Sequence, residues 1–211
     1  MPTVTYTPEE DGWVRGQSNV SHAEAVAGNG SFANDNRGNT AYVSAAGNFF
    51  CSRTYYRFDT TAIPTSATAS SAFVEIETAG ARGGTMDAVE VHKLFASSDN
   101  SSSIGAGLYQ TITTTTSTTG TDIGNTFDVT FQLVIDVHLL AYLNTQIAAG
   151  AKPAFLLRNK GDYDVATEGD PTGVNTRAFD GTAAGTAPFI SITYTTPSVS
   201  ADNATFFGAN F

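Results

Sequence analysis

The sequence predicts an all-β protein, a two-sheet antiparallel sandwich with one short helix. Three observations carry this. Before a turn-rich connection, Tyr56 and Phe58 alternate with Tyr55, Arg57 and Asp59; after it, Ala72, Val74 and Ile76 alternate with Phe73, Glu75 and Glu77. A period of two marks strands with one buried and one wet face. The connection itself holds Pro64 and several Ser and Thr residues, which suits a loop crossing from one sheet to the other. Finally, a single convincing stretch repeats its apolar residues at helical spacing: Leu139, Leu140, Leu143 and Ile147 share one face of a helix.

Taken in order, Val4 and Tyr6 alternate with Thr in a short first strand, and Glu9, Glu10 and Asp11 form an acidic corner before Trp13, the one tryptophan. Residues 17–48 are rich in Asn, Gly, Ala and Ser. They read as long loops with a short strand near Thr40–Val43, and long loops often carry binding. Strands follow at 49–59 and 71–78, with a turn expected over Gly80–Gly84. In the next strand Val89 and Val91 point inward, while Glu90 and a solvated His92 point outward. Residues 97–125 begin as a loop and continue as a Thr-rich run of high β-propensity, an edge strand or an extended loop. A strand from Phe127 leads to the helix, which Asp136 caps and Gly150 ends; it packs across one end of the sandwich. Residues 153–159 form a buried strand, 160–176 a polar loop, and Ile190, Ile192 and Tyr194 share a face of the last strand. One domain spans residues 1–195. Residues 196–211 form a C-terminal extension or arm, whose Phe206, Phe207 and Phe211 need the domain or another chain to cover them.

Composition narrows the function. Charged residues make up 14% of the 211 residues and the net charge is −10. Such a chain lacks the cationic footprint that phosphate binding requires, so no nucleic-acid partner is expected. No run approaches the length of a membrane span. Met1–Tyr6 has neither a basic start nor an apolar core, so no export signal is expected and the chain reads as complete and made in a cytoplasm. Cys51 has no second cysteine to pair with and is expected as a buried, unreactive side chain.

The chemistry-bearing residues argue against an enzyme. His22, His92 and His138 are scattered, no G-x-S-x-G is present, and Cys51 follows Phe49 and Phe50 in an apolar strand, a poor place to stabilise a thiolate. Zinc is not expected from one Cys and dispersed His. Asp162, Asp164, Glu168 and Asp170 fall in one loop and form a candidate calcium site, since calcium takes six to eight oxygens; a solvated acidic loop is the plain alternative. No other cofactor is expected. Trp13, with Tyr109 or Tyr163, is a candidate platform for stacking a sugar ring; the alternative for Trp13 is a core anchor.

The order of elements resembles a known family. The run R-F-D-T-T-A-I-P-T-S-A-T-A-S-S-A-F-V-E-I-E, then I-D-V-H-L-L-A-Y-L-N before F-L-L-R-N, then R-A-F-D-G before P-F-I-S-I-T-Y, is similar to DNRLRE-type modules over roughly residues 10–195. The Thr-rich insertion and the C-terminal extension depart from the pattern. The resemblance implies a jelly-roll β-sandwich related to carbohydrate-binding modules, non-catalytic, found in secreted enzymes, surface proteins and phage structural proteins. Two readings of function follow. The first is a structural or adhesion module of a virion: a phage capsid decoration, head-fibre or tail-associated protein. It would assemble with itself, as a homo-oligomer and by analogy a trimer, and with other virion proteins. The alternative is a carbohydrate-binding module, extracellular or on a cell surface, with a glycan as partner.

Overall fold

A single long strand, β6 (Thr68–Gly83), belongs to both layers of the protein. In this computed structural model the described residues are 1–28, 30–35, 38–83, 91–100, 102–123, 129–171, 174–181 and 186–197. The first part of β6 pairs on one side with β13 (Phe189–Thr195), which in turn pairs with β1 (Thr3–Tyr6), and on the other side with β10 (Thr130–Ile135). Its last part leaves that layer and pairs with β12 (Val174–Phe179). From β12 the second layer continues through β4 (Gly38–Ala45) to β5 (Asn48–Phe58), β11 (Ala154–Asn159), β7 (Val91–Ser97) and β8 (Ile112–Thr116). The short β9 (Thr121–Asp122) also pairs with β7. Along the other edge of β5 runs β2 (Pro8–Ser18), which carries β3 (Gly30–Asp35). Each of these pairings is antiparallel, as hairpin-connected strands allow. The all-β antiparallel sandwich expected from the sequence is the fold observed.

The main core lies between the layers. Val74, Ile76, Leu133, Ile135, Ile190 and Ile192 from the first layer meet Tyr56, Phe58, Leu94, Phe155 and Leu157 from the second. A second core covers the reverse side of the second layer. There Val14, Cys51, Tyr55 and Leu156 pack under Ala25 of α1 (His22–Ala27) and Leu108 and Tyr109 of a 3-10 turn (Ala106–Gln110). Both faces of β5 are therefore buried, and the half expected to be wet is not: Tyr55 is fully buried and Arg57 nearly so.

The helix expected near residue 140 is α2 (Val137–Ala148), with Leu139, Leu143 and Ile147 buried. The Asp136 carboxylate accepts the His138 backbone N–H at 3.2 Å, satisfying one donor that a helix start leaves open. Gly150 follows the helix at φ +62°, a conformation that favours glycine. Asn144 clamps α2 to β6, accepting from Ala69 N at 2.7 Å and donating to its carbonyl at 3.1 Å. Among the described residues, no helix is long and apolar enough to cross a membrane.

Four local expectations are corrected. Residues 17–48 are not long loops but hold α1, β3 and β4; β3 pairs with β2, and β4 with β5 and β12. The turn expected over Gly80–Gly84 is not one: pairing with β12 carries β6 on to Gly83. Short helices α3 (Lys160–Tyr163) and α4 (Val165–Glu168) replace part of the polar loop. His92 is fully buried, its Nε2 2.7 Å from Thr40 Oγ1 and its ring edge-on to Phe179. The Thr-rich run forms β8, whose strand partner is β7. Val89 and Glu90 lie outside the described residues, as do Phe206, Phe207 and Phe211.

Candidate functional site

Five neighbouring strands of the second layer place one row of side chains in register: Phe32 on β3, Arg15 on β2, Ser52 on β5, Ala41 on β4 and Thr176 on β12. Trp13 and Phe50 lie two residues from Arg15 and Ser52, so the two-residue period puts them on the same face. Their chain neighbours Val14 and Cys51 turn the other way into the second core. That core fixes the strands from behind; on the front of the row Ser52 and Ala41 are buried, Arg15 and Thr176 are half-buried, and Phe32 is exposed.

Arg15, Ser52, Ala41 and Thr176 of the row line a groove of about 280 Å³, and Phe32 stands beside it. Ala41, Val43 and Ala45 form part of its lining, with Trp13, Arg15, Asn39, Phe50, Ser52 and Thr176 around them. The alanines on β4 leave the space that larger residues would fill. Trp13 and Phe32 meet at 5.0 Å between ring centroids, tilted by 37°, and Phe32 is 39% exposed. The Arg15 guanidinium carbon stands 4.7 Å from the Phe50 ring, 5.1 Å from Phe32 and 6.0 Å from Trp13, within the range of cation–π attraction. Its Nε is buried without a hydrogen-bond partner. Aromatic faces beside a few amide, hydroxyl and guanidinium groups are the chemistry of a ligand groove that stacks a ring and hydrogen-bonds its substituents.

The other platform candidates lie elsewhere. Tyr109 is fully buried, with its hydroxyl donating to the Ala25 carbonyl at 2.8 Å and the Arg53 guanidinium 3.7 Å from its ring. It offers no face to a sugar, because the second core closes around it. Tyr163 packs beside Phe95 and under Lys93 and does not line the groove. Arg15, Phe32 and Phe50 were not singled out from sequence. The spacing Trp13-x-Arg15 was visible in the chain; the two Phe residues join only through strand register.

The acidic loop is not gathered around a common point. Asp162 is buried and receives Arg53 and Arg158, with N–O distances of 2.6–2.8 Å. Burial alone would raise its carboxyl; the Arg158 and Arg53 charges outweigh that and hold it far below the usual carboxylate range. Asp164 accepts from Thr167 Oγ1 at 2.9 Å, Glu168 pairs with Lys160 at 2.6 Å, and Asp170 accepts from His22 N at 2.8 Å. Each carboxylate is engaged by a different partner. Among the described residues, no three His, Cys, Asp or Glu side chains are grouped as a metal site. Cys51 is fully buried, and burial pushes its thiol well up.

A wider groove of about 630 Å³ lies between β8 and α2, lined by Lys93, Thr114–Thr118, Val137, His138 and Ala141. Among the described residues it presents no Phe, Tyr or Trp ring, and its lysine is drawn to the Thr118 carbonyl at 3.1 Å. The smaller groove has the better recognition chemistry.

No protein-family model matches the chain. No curated protein sequence matches it either.

Proposed function

We propose that the protein is a non-catalytic binding module whose Trp13 groove receives a sugar ring. One observation supports this above the others: the sole tryptophan, Phe32, Phe50 and Arg15 come together on one sheet face beside Asn39 and Ser52. Sugar rings present an apolar C–H face to such aromatics and hydroxyls to the polar rim. Because Trp13 is the only tryptophan, intrinsic fluorescence reports the groove directly. A glycan array on the native protein should give hits that shift this emission, and Trp13→Ala should lose them. An array without hits, or binding unchanged by Trp13→Ala, rejects the reading.

Assembly in a virion remains the second proposal, and Phe206, Phe207 and Phe211 within the last six residues of the chain are what favour it. A capsid decoration, head-fibre or tail-associated protein would use that segment to hold neighbouring subunits. The solution mass should then fall from an oligomer to a monomer when residues 197–211 are deleted. A monomer in both forms counts against it. A glycan groove and a self-assembling segment are compatible in one adhesion protein.

A further inference from the structure

We infer that the groove selects a sugar carrying a carboxylate, set among neutral sugars, and that Arg15 reads the acid. The inference rests on the glycan reading above and specifies its ligand class. Among the described residues, Arg15 is the one charged residue in the groove lining. Its guanidinium is held by three aromatic rings rather than by an acid, and its buried Nε donates to nothing. A guanidinium in that state keeps its fork of N–H donors for an incoming planar anion, and a carboxylate matches that fork in two parallel hydrogen bonds. The aromatic faces hold the ring that bears it.

The rest of the molecule limits the charge of this ligand. The chain carries a net charge of −10, so its field opposes a dense polyanion on approach. Screening confines each surface charge to roughly 8 Å at physiological salt. One carboxylate seated on Arg15 is therefore favoured, while a train of acids running past the groove is not. Hexuronic and sialic acids within neutral oligosaccharides meet this requirement.

The test titrates the native protein with glucuronosyl-xylobiose and with sialyllactose, followed by Trp13 emission and calorimetry. Each is compared with its own methyl ester, which keeps the ring and removes the charge. An acid should bind about tenfold or more tightly than its ester, as charge-assisted bidentate pairing requires, and the difference should shrink as salt rises. Arg15→Gln should abolish the acid–ester difference, and Arg15→Lys should retain part of it. Circular dichroism of both variants establishes that they are folded; native dye-free melting curves of the wild type with each ligand give the same comparison without a variant. Equal affinity for acid and ester, or binding of neutral glycans with silence toward both acids, overturns the carboxylate inference and leaves the glycan reading standing. Silence toward every glycan overturns both.

Discussion

Arg53 and Asp162 form a bidentate pair, Nε to Oδ2 and Nη2 to Oδ1, each at 2.8 Å, with side-chain exposures of 2% and 0%. Arg53 also donates to the Tyr109 and Val26 carbonyls, at 2.5 and 3.1 Å. One side chain of β5 therefore ties α1, the 3-10 turn and α3 to the sheet that carries the groove. Arg158 adds a second guanidinium to the same carboxylate. Asp162→Ala leaves these cations uncompensated, and losing one partner of a buried pair costs about 3–5 kcal/mol. Urea unfolding should show a loss of that order; a loss below about 1 kcal/mol would refute the role given to the pair.

Asp59 is held at about 2 by hydrogen bonds from Thr61, then by Lys152. Its folded value lies below the ordinary carboxyl value, so the unfolded chain binds the proton more readily. The contribution to stability is present above about pH 4 and is lost as pH falls through about 2. Because the residue is largely exposed, the energy is small, and the titration itself is the better measurement. Carbon-detected NMR should place the Asp59 midpoint near 2, and Thr61→Val should move it toward the ordinary value. An ordinary midpoint in the wild type would contradict the assignment.

Cys51 should be silent toward thiol reagents in the native protein. It is fully buried and its thiol is pushed up by that burial, so both access and thiolate are lacking. An aromatic disulfide reagent should label it only at the rate of unfolding, with one equivalent appearing as urea unfolds the chain. Fast labelling under native conditions would show that the second core opens locally.

Gly16→Ala should loosen the cover over the second core. A methyl group there would collide with the Ala25 carbonyl oxygen and stand 2.6 Å from the Tyr109 ring, closer than atoms come without moving. We expect a loss of about 1–3 kcal/mol, the usual cost of overpacking. Equal melting temperatures for variant and wild type would mean that α1 and the 3-10 turn are less closely docked.

How much of this was legible in the chain depends on where each interaction begins and ends. The α2 helix was readable because Asp136, Leu139, Leu143, Ile147 and Gly150 all act within one local segment. Ala72, Val74 and Ile76 were readable for the same reason, through their two-residue period. His92 was misread as solvated because its partners Thr40 and Phe179 lie far away in sequence. The wet face assigned to Tyr55 failed similarly: it is buried in the second core and its hydroxyl donates to the Asp99 carbonyl, far away in sequence. At the site, Trp13 was legible as an isolated aromatic. Its companions were not, since Phe32 and Phe50 reach it through the pairing of β2 with β3 and β5. The acidic loop illustrates the converse: proximity in sequence put four carboxylates together that the fold assigns to separate partners.

The crossing of β6 from one layer to the other bears on how the protein comes apart. A sandwich whose layers are joined only by loops can lose one sheet while the other persists. Here the strand that receives β10 and β13 is continuous with the strand that receives β12. Peeling either sheet away pulls on the backbone of its neighbour, so the layers are expected to melt together rather than as separate units. The strands that carry the groove, β12 among them, are then expected to hold their spacing until the layers part.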